Sequence, residues 1–139
     1  MAGRVLEAKG LMNFIRNSKG FDKVLEKVKI LSLGGGKCSA EFKVDESHTN
    51  PMGGLHGGFS ATLVDCISTY ALMSKVEVPN VSVDIHMSYL KGAKIGDDVL
   101  IDASVLKTGK SLAFLEVELK NKESGDVLVK GSHTKFLMR

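Results

Sequence analysis

What constrains this chain most is a change of hydrophobic period at Pro79. Before it, residues 59–75 have helical composition throughout, with no glycine or proline to interrupt them. After it, apolar residues recur at every second position: Val81, Val83, Ile85, Met87 and Tyr89, then Val99, Ile101, Ala103 and Val105, then Ala113, Leu115, Val117 and Leu119, then Val127 and Val129. Turn signals at Gly92, Gly96, Gly109 and Gly125 separate four strands. Upstream, residues 28–33 and 38–44 flank Gly34, Gly35 and Gly36 and read as a hairpin. One long helix is then available to cover the sheet, which predicts an α+β fold: a four-stranded antiparallel meander wrapped, with the hairpin, around a single helix. Such a sheet keeps exposed edges, and pairing with a second copy across a two-fold axis covers them. At least a dimer is expected.

With 139 residues, the chain reads as one domain spanning 1–139, with one site per copy. A net charge of +3, no Trp and no basic stripe interleaved with aromatics exclude a nucleic-acid binder and suit a small anionic ligand. No apolar run reaches the roughly 20 residues of a membrane span. Cys38 sits in a strand pattern and Cys66 in a helical one, so both read as reduced thiols of an intracellular protein. Residues 1–20 pair Arg4, Lys9, Arg16 and Lys19 with the apolar Val5, Leu6, Leu11, Met12, Phe14 and Ile15. They read as an amphipathic helix packed on the domain, with a mitochondrial address as the alternative to a cytosolic home.

Several chemistries fail on spacing. Gly109-Lys110-Ser111 has Ser104 where a phosphate loop needs its first glycine, and residues 53–58 do not spell a dinucleotide fingerprint. His48, His56, His86 and His133 lack metal-ligand spacings, and no G-x-S-x-G elbow occurs.

The stretch from His48-Thr49-Asn50 through His56-Gly57-Gly58 to Asp65 survives. Gly57 and Gly58 open the helix, where unpaired amides and the positive dipole end can stabilise an oxyanion; the alternative is a tight turn. Asp65 stands mid-helix among Leu63, Val64, Cys66 and Ile67, where an acid gains nothing locally. Gly57, Ala61, Asp65 and Ser68 share a helical face of small residues. Burial there would raise the Asp65 pKa toward that of a general base, whereas a bond from Ser68 or Thr69 would make it merely structural. Eight residues separate Gly57 from Asp65, roughly 12 Å along a helix axis. Each Asp65 is therefore expected to serve the Gly57 of a second chain.

His-Gly-Gly followed by Ala-Thr-Leu-Val-Asp, then Val-Ser-Val-Asp and Lys-Ile-Gly-Asp, resembles the acyl-coenzyme A thioesterases built on the hotdog fold, over nearly the whole chain. The resemblance implies that Asn50 and the Gly57 amide polarise the thioester carbonyl, that His56 lies near the sulfur, and that Ser82 helps Asp65 hold the attacking water. Bland alternatives stay open: His56 as a cap, Asn50 as a turn residue before Pro51, and Ser82 as a polar strand position. Alternation puts Ser82 and Asp84 together, opposite Val81, Val83 and Ile85. The resemblance further implies a coenzyme A cleft formed by Tyr89, Leu90, Lys91, Gly92, Ala93 and Lys94 with Lys107, Thr108, Gly109, Lys110, Ser111 and Leu112, and with Asp84 and Phe136 nearby. Gly92 stands where a proline is common in relatives. Dimers pairing into tetramers are implied, with room for a lipid-transfer or other protein partner. The expected activity is hydrolysis of medium- to long-chain acyl-coenzyme A without metal or redox cofactor, through a tunnel near Met12, Met73, Leu55 and Leu63. A non-catalytic acyl-coenzyme A sensor or scaffold is the alternative, and a hotdog dehydratase fits poorly because His56 and Asp65 lie more than two turns apart.

Overall fold

The computed structural model describes residues 7–139. Its elements run α1 (Ala8–Asn17), β1 (Lys29–Gly34), β2 (Lys37–Lys43), α2 (Gly57–Met73), β3 (Asn80–Tyr89), β4 (Asp98–Thr108), β5 (Leu112–Asn121) and β6 (Val127–Leu137). Helical turns at Phe21–Leu25 and Glu46–His48 link them. Of the expected N-terminal helix, α1 is seen and buries Leu11 and Ile15; Arg4, Val5 and Leu6 lie outside the described residues.

The hairpin forms as expected, closed by Gly35 and Gly36 at φ of 60° and 85°, a backbone region that disfavours a side chain. The expected four-strand meander does not. All six strands form one antiparallel sheet in the order β1-β2-β4-β5-β6-β3. Only β4, β5 and β6 are a meander. Strand β2 takes the free edge of β4, pairing Cys38 with Ala103, and β3 pairs beyond β6 as the opposite edge. Alternation identifies a strand but carries no information about its neighbours.

Helix α2 lies across one face of this sheet. Its Leu63, Val64, Ile67, Ala71 and Leu72 are fully buried against Ala40, Ile101, Val117, Leu119 and Leu115. Each such Leu or Ile contributes about 1.5 to 3 kcal/mol. Gly131 of β6 makes the closeness possible, since a Cβ there would lie 2.7 Å from a Val64 methyl.

Strand β3 departs from expectation in a second way. Val81, Val83 and Tyr89 are 48%, 56% and 56% exposed, so these residues lie at an open edge, while Met87 packs against the core. A bulge between Ser82 and Asp84 also shifts its phase. Ser82 pairs with the buried Lys135 and faces α2, whereas Asp84 pairs with Thr134 on the outer face. The two were expected on one side and lie on opposite sides.

Candidate active site

The start of α2 is held in three ways. His56 is its N-cap, and its Nδ1 accepts the Gly58 N–H at 2.8 Å, so the cap alternative describes this ring and its neutral form carries the proton on Nε2. The Tyr89 hydroxyl donates to the Gly57 carbonyl at 2.7 Å, bracing the helix from β3. Asn50 accepts the N–H groups of Met52 and Gly54 at 2.9 and 3.1 Å, an Asx turn that spends its oxygen and leaves its Nδ2 donors without an acceptor among the described residues. The Gly57 N–H is likewise without an acceptor there. Two donors on adjoining segments are thus uncommitted, as an oxyanion site needs.

His48 lies beneath them, 2% exposed, stacked on Phe59 with ring centroids 4.7 Å apart and accepting the Asp45 N–H through Nδ1. Burial lowers its pKa against the raising pull of Asp45.

The acid lies two turns along α2. Contrary to the expected burial, the Asp65 side chain is 47% exposed, because nothing in a single chain covers that face of the helix. Its carboxylate receives no hydrogen bond from the described residues. The hydroxyls of Ser68 and Thr69 go to backbone oxygens, Ser68 to Val64 at 2.6 Å and Thr69 to Asp65 at 2.8 Å, so neither neutralises the acid. Ser68 does not share the open strip with Gly57, Ala61 and Asp65: it is fully buried and meets His133 Nδ1 at 2.8 Å.

His133 and Lys135 are the residues that sequence reasoning missed. On β6 they occupy the buried phase of Val129, Gly131 and Leu137, and a polar residue in that phase was the available signal. His133 Nε2 lies 2.7 Å from Ser82 Oγ and 4.0 Å from Asp65 Oδ1. Burial, then the Lys135 charge, lowers the His133 pKa, while Asp65 and Asp84 oppose that shift. Lys135, 5% exposed, donates to Thr69 at 2.8 Å, and its own pKa is lowered by burial.

The remaining predicted residues fall in two places. Tyr89, Leu90, Lys91, Gly92 and Ala93 line a cavity of about 370 Å³ together with Gly57, and Lys94 bridges to Gly54 beside it. Lys91 is ion-paired with Asp126. Lys107 and Thr108 end β4, Gly109, Lys110 and Ser111 form the turn, and Leu112 opens β5 opposite Phe136, itself opposite Val81 at the start of β3. The two halves of the expected cleft therefore lie at opposite ends of β3, about 30 Å apart for nine strand steps. One chain does not bring them together. Gly57 and Asp65 divide in the same way, Gly57 against Tyr89 and Asp65 near Ser82.

Of the expected tunnel residues, Leu63 is wholly in the core, Met12 packs against it, Met73 is 40% exposed, and Leu55 lines the 370 Å³ cavity. A larger apolar cleft of about 490 Å³ opens instead on the other side of the helix start, lined by Phe21, Val24, Phe59 and Thr62 and sharing His56 and Gly58 with the donor site.

This hotdog sheet and helix start agree with the comparisons. The family model described as thioesterase superfamily matches residues 52–128, and the chain belongs to that superfamily. Over 138 residues it is 46% identical to acyl-coenzyme A thioesterase 13 of Mus musculus, covering 99% of each chain. It superimposes on the crystal structure of zebrafish thioesterase superfamily member 2 with a TM-score of 0.91 and 49% identity, covering 95% of this chain and 99% of that one. A hypothetical thioesterase protein from Streptococcus pneumoniae, crystallised with coenzyme A, is 28% identical, with a TM-score of 0.77, over 81% and 90% of the two chains.

Proposed function

We propose that the chain hydrolyses medium- to long-chain fatty acyl-coenzyme A to free acid and coenzyme A, at sites shared between two subunits. The observation that carries this is the separation of complementary halves along β3. Antiparallel pairing of two β3 edges across a two-fold axis would bring the Tyr89 end of one chain to the Ser82 end of its partner. Uncommitted donors on Asn50 and Gly57 would then face a second chain's Asp65 and Ser82, and the two cleft segments would join. The exposed Val81, Val83 and Ile85 supply an apolar edge for that contact.

In the reaction, the Gly57 N–H and Asn50 Nδ2 polarise the thioester carbonyl. The carboxylate of Asp65 takes one proton from water as the water oxygen bonds to the carbonyl carbon. Collapse of the tetrahedral oxyanion breaks the C–S bond, and the departing thiolate recovers the proton from Asp65, close to His56 Nε2–H. Homology to a mouse acyl-coenzyme A thioesterase and to a bacterial thioesterase crystallised with coenzyme A supports this substrate. The 490 Å³ cleft, which shares His56 and Gly58 with the donor site, suits the hydrocarbon tail. Two free thiols, Cys38 and Cys66, favour a reducing, intracellular compartment.

Thiol release from a series of acyl-coenzyme A esters tests this with wild type and Asp65→Asn. Turnover by wild type and a loss of at least about a hundredfold in kcat at similar KM are expected for the variant. Binding without thiol release would make the protein a sensor. The other route is direct attack of Asp65 on the thioester carbonyl to give a mixed anhydride; label found in Asp65 after a single turnover in 18O-labelled water would establish it, through attack of water on the Asp65 carbonyl.

A further inference from the structure

We infer that His133 and Ser68 are positioning residues that hold the His133 imidazole in its Nδ1–H form, and so make the Ser82 hydroxyl an acceptor for the attacking water. The inference rests on the reading of Asp65 and Ser82 as the pair that holds this water.

The argument starts at the buried end. Ser68 Oγ is 2.6 Å from the Val64 carbonyl oxygen, a separation two oxygens reach only with a proton between them. A carbonyl has none to give, so the Ser68 proton is committed there, as is common for a serine bonded back to the previous turn. Ser68 Oγ can then only accept from His133 Nδ1 at 2.8 Å, and the ring must carry its proton on Nδ1. A neutral ring protonated at Nδ1 has a bare Nε2. Ser82 Oγ, 2.7 Å away, must donate to it. With its one proton spent, Ser82 meets water with lone pairs alone.

The ring stays neutral for reasons visible around it. His133 is 1% exposed and Ser68 fully buried. The charged groups that act on the ring are Lys135 on its own strand, Asp65 on α2 and, from the outer face of the sheet, Asp84 on β3. At 4.0 Å, Asp65 is too far to share a proton with Nε2. Every proton in the chain thus points inward, from Ser82 to His133 to Ser68 to the Val64 carbonyl. A water between Ser82 and Asp65 donates one proton to each, which leaves its lone pair to face the thioester. With the opposite tautomer Ser82 would donate to the water, tying up one of its two lone pairs and leaving one of its protons unheld.

The first test reads the ring directly, from two-bond 1H–15N spectra of histidine-labelled wild type at pH 8. Nδ1 is expected in the protonated range and Nε2 in the bare range; protonation at Nε2, or at both nitrogens, overturns the assignment. This reading needs no turnover and so stands apart from any failure of the thioesterase activity. The second test uses Ser68→Ala and Ser68→Thr. Ser68→Ala removes the only acceptor for Nδ1–H among the described residues; the ring is expected to shift to the Nε2–H form and kcat to fall roughly ten- to hundredfold at unchanged KM, while Ser68→Thr, which keeps the hydroxyl, restores both. A kcat for Ser68→Ala within about twofold of wild type, or a loss without a change of tautomer, overturns the positioning role.

Discussion

At the residue scale, burial sets how the thiols and imidazoles titrate. Cys38 and Cys66 look reactive on paper, but burial pushes both thiols up to about 12, so neither is a thiolate near neutrality. Iodoacetamide at pH 8 is expected to leave both unmodified in the folded protein and to alkylate both in urea; labelling of native protein would contradict this. His48 and His133 titrate in the other direction. Their folded pKa values lie below the ordinary 6.5, so the unfolded chain takes up protons first as pH falls. The stability they contribute is complete above pH 6.5 and is lost as pH drops through the folded values. Melting temperatures measured from pH 8 to pH 5 should hold steady to about pH 7 and then decline; a rise toward pH 5 would refute neutral burial of the two rings.

At the element scale, the close approach of α2 to the sheet depends on one missing side chain. A methyl at Gly131 would sit 2.7 and 2.9 Å from the two Val64 methyls. Gly131→Ala should therefore cost about 1 to 3 kcal/mol, read as a lower urea midpoint at unchanged m-value. The apolar cleft beside the helix start makes a separate prediction about acyl length. Val24 lines it at 40% exposure, and Val24→Trp should fill it. Turnover of long-chain esters is expected to fall at least about tenfold in kcat/KM while short-chain esters are little changed. An equal loss for all lengths would place the tail elsewhere.

At the scale of the whole molecule, the proposed site draws on two chains, and this can be tested by mixing defective copies. Chains carrying Asp65→Ala and chains carrying Asn50→Ala should each be inactive. Unfolded and refolded together, they should recover about a quarter of wild-type activity, because half of random dimers are mixed and each mixed dimer regains one site of two. No recovery, with mixed dimers shown by mass, would put each site within one subunit.

Much of this was legible without coordinates, and the division has a physical basis. Helix and strand are written in hydrophobic period, a local property, so α2 and the first five strands could be read close to their limits, whereas β6, read only at Val127 and Val129, runs on to Leu137 because His133 and Lys135 break its apolar alternation. The helix-start glycines and the mid-helix acid stood out because each violates local preference, and the resemblance rested on those positions. What the period does not carry is long-range. The sheet order, with β3 beyond β6, depends on which edge is free once α2 and β2 are in place. A single bulge at β3 put Ser82 and Asp84 on opposite sides of the sheet. The link from Ser82 through His133 to Ser68 joins residues 51 and 65 positions apart, a contact that only packing of helix on sheet creates. Local sequence determined which groups this protein has at hand, and tertiary structure decided which of them meet, because meeting depends on the close packing of segments far apart in the chain.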